Sequence, residues 1–135
     1  MASKIILYTS FKSSKFLTFL NNSIKKEDLI SKIPSDFAIT VSKDGGSVYT
    51  LTMAPDNQYY KGFDNTRMTA SWEINGLSNG TYMASESSFT IDKYDYLATG
   101  TPAGILDGAG VTISESSYGT ATELDVLNNK NQNKI

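Results

Sequence analysis

Cysteine and histidine are both absent from this chain of 135 residues, and proline occurs only three times. Without cysteine the chain has no disulfide and no thiol nucleophile, and without histidine it has no Ser-His-Asp triad. A zinc site built on Cys ligands is excluded for the same reason. Any covalent cross-link within the chain must therefore use other side chains.

Long apolar runs are missing too, and neither sign of charge is in large excess. No segment reaches the length of a membrane-spanning helix, and the run at residues 5–8 is too short for a signal-peptide core. Residues 1–33 hold six Lys against Glu27 and Asp28, whereas residues 34–135 hold six basic and twelve acidic side chains. An acidic main part argues against nucleic acid as a partner.

What the chain does contain is typical of β-proteins: eight Tyr, ten Gly and many Ser and Thr. From Asp36 onward, short alternating segments are separated by turn residues, and Asp44-Gly45-Gly46 is a strong hairpin signal. We predict about seven or eight strands, over residues 37–43, 48–53, 68–74, 81–87, 89–91, 94–98, 110–114 and 122–127. This spacing favours an all-β fold, a sandwich of the immunoglobulin-like or transthyretin-like kind.

The first part of the chain follows a different pattern. Residues 4–9 are predicted as a short strand, and the helix predicted after it has one apolar face, formed by Phe16, Leu17, Leu20 and Ile24. We therefore divide the chain into a helical or mixed N-terminal extension (1–33), a β-sandwich (34–130) and a polar tail (131–135). The extension either packs on its own domain or serves as a docking or anchoring element for a partner.

Three predicted strands each place one polar residue on an otherwise apolar face: Lys43, Glu86 and Asn128. An amine, a carboxyl and an amide that face a core are costly unless they meet. Where they meet, burial lowers the pKa of the lysine and raises that of the carboxyl. An amine, a carboxyl and an amide brought together in a dry core are able to react with one another. The alternative is that Lys43 extends to solvent beside Asp44 and the other two lie near the rim.

A turn with a distinctive spacing precedes Glu86. It reads Gly-Leu-x-x-Gly-Thr-Tyr with a Glu four residues later, and the matching residues are Gly76, Leu77, Gly80, Thr81, Tyr82 and Glu86. In this it resembles the Cna protein B-type (SpaA-like, prealbumin-like) domains of Gram-positive surface adhesins and pilins. The likeness covers roughly residues 36–130, and Lys43 and Asn128 fit the family's core lysine and final-strand asparagine. It implies an intramolecular isopeptide bond, with Lys43 as nucleophile, Asn128 as electrophile, Glu86 as proton shuttle and ammonia as leaving group.

The resemblance implies a structural or adhesive module of a bacterial surface fibre, a stalk or pilin-type domain at the cell surface and not an enzyme. Its expected partners are other protein subunits or a host-surface ligand, and no cofactor is expected. One alternative is a phage virion decoration or fibre protein, whose basic N-terminal part docks on a capsid or fibre protein. Another is a carbohydrate-binding module that stacks sugars on the aromatic rings of one loop, Tyr59, Tyr60 and Phe63.

Overall fold

Two β-sheets form a sandwich-like arrangement in the computed structural model, which describes residues 3–12, 32–64, 66–86, 88–91, 94–106 and 108–134. The strands of these ranges are β1 (Ser3–Lys12), β2 (Ile39–Lys43), β3 (Gly46–Leu51), β4 (Tyr60–Asp64), β5 (Thr69–Leu77), β6 (Gly80–Glu86), β7 (Phe89–Ile91), β8 (Tyr94–Thr101), β9 (Val111–Ile113) and β10 (Ala121–Lys134). The larger sheet has the order β4-β5-β1-β10-β8-β7, and the smaller has the order β3-β2-β6-β9. The all-β prediction is thus confirmed.

Strand β1 lies in the middle of the larger sheet. Its odd-numbered residues from Ser3 to Phe11 are buried and the even-numbered residues between them are partly exposed, which is the period of a strand with one face on a core. It pairs parallel with β10 and antiparallel with β5, and Leu7 faces Leu124 on one side and Trp72 on the other. The predicted strand at 4–9 is therefore longer and belongs to the sandwich, not to an extension. The predicted helix falls on residues 13–31, outside the described ranges.

The hairpin between β2 and β3 follows directly from its turn residues. Asp44 and Gly45 have φ values of 50° and 90°. Positive φ at both positions is the requirement of a tight two-residue turn of type I′, and Asp-Gly is a preferred pair for it. The hairpin predicted at Asp44-Gly45-Gly46 is confirmed.

The Gly76–Tyr82 turn does not form a hairpin. It leads from β5 in the larger sheet to β6 in the smaller one, with only Ser78 and Asn79 between the two strands. Gly76 has a φ of 69°, and the Tyr82 hydroxyl donates a hydrogen bond to the Ser78 carbonyl at 2.7 Å. The turn is thus a corner at which the chain passes from one layer to the other.

The core lies between the sheets and contains side chains of both. Trp72 is fully buried, and its indole N–H donates to the Thr52 carbonyl at 2.8 Å. A cluster of rings fills one end of the core, with centroid distances of 5.2–6.0 Å among Phe11, Phe37 and Phe89. Such ring pairs each contribute about 0.5–1.5 kcal/mol beyond the burial of their area.

Two segments differ from the prediction. Strand β4 lies in the segment predicted as the loop of Tyr59, Tyr60 and Phe63. A bulge between Tyr60 and Gly62 interrupts the alternation of this strand, so the sequence pattern does not indicate it. Strand β10 continues through most of the predicted polar tail, since backbone pairing of Lys130 with Tyr96 and of Lys134 with Tyr94 needs no apolar side chain.

Candidate functional site

Lys43 lies at the end of β2, away from Glu86. The register between β2 and β6 pairs Lys43 with Tyr82 and pairs Ile39 with Glu86. Four positions along a strand correspond to about 13 Å. The Lys43 amine instead donates a hydrogen bond to the Ser78 hydroxyl at 2.7 Å, at an exposed position.

Lys43 and Asp44 fasten the β5–β6 corner to the β2–β3 hairpin. A Cβ added to Gly80 would lie 2.7 Å from Lys43 Cε and 2.8 Å from Asp44 Oδ2, so both side chains lie directly against the glycine. The Asp44 N–H donates to the Thr81 carbonyl at 2.9 Å, and the Thr81 N–H donates to Asp44 Oδ1 at 3.0 Å. The sequence supports two predictions for Lys43, a place in the isopeptide site or a place at a strand end beside Asp44. The observed contacts are those of the second.

Asn128 is fully buried and joins the first strand to the last. Its amide nitrogen donates to Thr9 Oγ1 at 2.7 Å and to the Ser10 carbonyl at 3.0 Å. The Thr9 hydroxyl in turn donates to the Val126 carbonyl at 3.0 Å. The amide oxygen, Oδ1, is buried and has no hydrogen-bond partner among the described residues.

Glu86 ends β6 on the inward face, in line with Tyr82 and Ala84. Burial raises the pKa of its carboxyl from an ordinary value of 4.5 to about 7. One of its oxygens, Oε1, is buried without a hydrogen-bond partner in the described part of the chain. A carboxyl in this setting is neutral over part of the physiological pH range.

The three polar residues of the expected isopeptide site are therefore not brought together. Asn128 is fully buried and Glu86 is partly buried, but Lys43 is at the far end of β2 from Glu86. The amide nitrogen of Asn128 is held by β1. Lys43 contacts Ser78, which follows Leu77 at the Ser3 end of β1, whereas Asn128 lies opposite Phe11 at the other end of β1.

The aromatic residues predicted to stack on sugars each pack against another ring. The Tyr59 ring lies edge-on to Tyr49 at 5.6 Å, and Tyr60 lies 5.7 Å from Trp72. Phe63 lies 6.4 Å from Phe11. All three predicted rings are partly buried, and each packs against another ring.

Sequence reasoning missed a groove on the outward face of the larger sheet, which we call the outer groove. It has a volume of about 440 Å³, and its lining includes Tyr8, Lys61, Gly62, Asp64, Arg67 and Ser71. A second, more apolar groove of about 390 Å³ includes Ile33, Pro34, Phe37, Thr52 and Met53 in its lining. The outer groove combines a ring, hydroxyls and charges, whereas the second offers mainly apolar surface.

No family model, curated protein or solved structure matches the chain. Within the described ranges, no group of three or more Asp and Glu side chains is placed to hold a metal ion. In the same ranges, no helix has both the length and the apolarity to cross a membrane. Function is therefore inferred from the geometry of the chain itself.

Proposed function

We propose that this chain is a structural module that bears tension within a fibre, built as an immunoglobulin-like β-sandwich, and that it is not an enzyme. The observation that supports the proposal is the parallel pairing of β1 and β10 in the middle of the larger sheet. The direction in which this pair is pulled decides how the sandwich resists force.

The parallel pair places the two ends of the domain at opposite poles. Lys4 faces Ala121 at one end of the pair, Lys12 faces Asn129 further along, and β10 then continues to Lys134. At about 3.3 Å per residue, Lys134 lies about 40 Å from the level of Ala121 along the strand axis. Modules with this geometry can be joined end to end without folding back on one another.

Tension between the two ends slides β1 along β10. All nine register pairs, from Lys4–Ala121 to Lys12–Asn129, are then loaded at the same time and must break together. Pulling on two points at the same end would instead break them one after another, at a lower force. Because β5 holds the other side of β1 and β8 holds the other side of β10, neither strand can leave without losing a second partner.

Side chains add to this resistance at the buried face of the pair. The Asn128 amide bonds to Thr9 and Ser10, and the Thr9 hydroxyl bonds to Val126, so three side-chain hydrogen bonds cross from one strand to the other. A hydrogen bond in the low-dielectric interior of a protein is stronger electrostatically than one at the surface. The polar residue that the sequence singled out on the last strand thus stabilises the pair without a covalent bond.

The partners in this proposal are other protein subunits, aligned with the ends of β1 and β10. The setting is a bacterial surface fibre, which the likeness of residues 76–86 to surface adhesins and pilins favours. The Lys43–Asn128 bond is not part of the proposal, since Lys43 lies at the opposite end of β2 from Glu86.

The test is single-molecule force spectroscopy in two pulling directions. The chain lacks cysteine, so attachment points are introduced freely. In the first direction, handles are attached at the two ends of the chain. In the second, one handle stays at the N-terminal end and the other is attached at Ala121→Cys, an exposed position beside Lys4.

We expect a severalfold higher unfolding force in the first direction at the same pulling speed, because only that direction shears the pair. Ala121→Cys without a handle, pulled from the two ends, controls for any effect of the substitution itself. Equal forces in both directions would refute the tension-bearing role.

A further inference from the structure

The outer groove is shaped by one row of residues across three strands. The register places Tyr8 of β1 opposite Ser71 of β5, and Ser71 opposite Gly62 of β4. A large ring is thus followed by two of the smallest residues, which leaves a trough beside the ring. The volume of about 440 Å³ is within the usual range of small-molecule sites.

Two cations line this trough. Lys61 and Arg67 are both exposed, and neither forms an ion pair with any residue in the described ranges. The carboxylate in the groove belongs to Asp64, and its Oδ1 accepts the backbone N–H groups of Thr66 at 2.9 Å and Arg67 at 3.3 Å. The groove thus has a net positive charge and favours an anion.

The backbone that presents Arg67 is held in place from both sides. Asp64 holds the start of the turn, and the Thr69 hydroxyl donates to the Arg67 carbonyl at 2.9 Å. Met68 follows with a φ of 51°, and its carbonyl accepts the Phe11 N–H of β1 at 3.0 Å. A cation on a fixed turn loses less conformational entropy when a ligand binds.

We propose that the outer groove binds one sugar ring that carries a carboxylate, a ligand of the uronic acid class. The Tyr8 ring offers a flat apolar surface for the C–H face of the sugar. Arg67 holds the carboxylate in a forked pair, with Lys61 as the second charge. Ser71 offers a hydroxyl, and the second oxygen of Asp64 accepts a sugar hydroxyl.

Each part of the groove selects for this class. A neutral sugar leaves both cations without an anionic partner, and a small carboxylate such as acetate makes no use of the Tyr8 ring. The site gives the module an adhesive role beyond bearing tension. It does not depend on the β1–β10 pair, so the two proposals can fail separately.

The test is an NMR titration of the full chain with sodium glucuronate, beside glucose and sodium acetate. We expect glucuronate to shift the backbone amide signals of Tyr8, Gly62 and Ser71. We also expect it to bind at least about tenfold more tightly than glucose or acetate, because each of them lacks one set of contacts.

Two variants make the test specific to the groove. Arg67→Ala is expected to weaken glucuronate binding by about tenfold or more through loss of a charge-assisted pair. Lys4→Ala removes a partly exposed cation of β1 that is paired with Glu73 instead, and is expected to leave binding unchanged. Arg67 is exposed and Lys4 is partly exposed, and the NMR spectrum itself reports whether each variant is folded.

Four results would overturn the proposal. They are no shift of the groove amides, glucose binding as tightly as glucuronate, acetate binding as tightly as glucuronate, and unchanged binding by a folded Arg67→Ala variant. Equal binding of acetate would identify the groove as an adventitious anion site only.

Discussion

Raising the pH from about 5 to about 8.5 is expected to lower the free energy of unfolding. The expected decrease is the contribution of Glu86 alone. Burial raises the pKa of this carboxyl from 4.5 to about 7, so folding favours its neutral form. The stabilisation is complete below about pH 4.5, where both folded and unfolded states are protonated, and is lost as the pH rises through about 7. A pKa difference of about 2.5 at about 1.4 kcal/mol for each pH unit sets an upper limit of about 3.5 kcal/mol. Because the side chain is only partly buried, we expect about 1–2 kcal/mol.

The assay is urea unfolding of the wild type and of Glu86→Gln at both pH values. Glutamine has nearly the same shape but does not ionise, so the variant is expected to gain about 1–2 kcal/mol over the wild type between the lower and the higher pH. Glu123→Gln removes an exposed carboxylate of β10 and is expected to keep the pH dependence of the wild type. If the stability difference between wild type and Glu86→Gln is the same at both pH values, the reasoning fails.

Two further predictions concern the other residues of the expected isopeptide site. Asn128→Ala is expected to lower the free energy of unfolding by about 2–4 kcal/mol, since it removes one buried and one partly buried hydrogen bond to β1. Urea unfolding measures this free energy, and Asn129→Ala on the opposite face of β10 is the control. A loss below about 1 kcal/mol in Asn128→Ala would contradict the role of Asn128 in joining β10 to β1. The second prediction is that the intact mass of the denatured chain equals the calculated mass, because Lys43 lies about 13 Å along the strands from Glu86. A mass lower by one ammonia that Lys43→Ala restores would refute this geometry.

Local features of the fold follow well from the sequence. The Asp44–Gly45 turn and most short strands are recognised because turn chemistry and alternation depend on neighbouring residues. Alternation also identifies the inward faces of β6 and β10, where Glu86 and Asn128 lie. These inferences need no knowledge of which strands are partners.

The candidate site is not predictable in the same way. Alternation gives the face of the sheet on which a residue lies, but not its position along the strand direction relative to residues of neighbouring strands. Lys43 and Glu86 lie on strands that pair with each other, but at opposite ends of the pairing. This relative position is set by strand register, which depends on contacts between residues far apart in the sequence. The outer groove is not predictable for the same reason, because Tyr8, Ser71 and Gly62 form a row only after β1, β5 and β4 have paired.

The pairing of the first strand with the last also determines when this protein is able to fold. The hydrogen bond from Thr9 to Val126 closes a separation of 117 residues, and contacts of such long range make folding slow. During synthesis, β1 and β8 each have one unpaired edge until β10, which lies between them, leaves the ribosome. The centre of the larger sheet is thus the last part to form, and a chain cut short before residue 121 retains two open edges that invite aggregation.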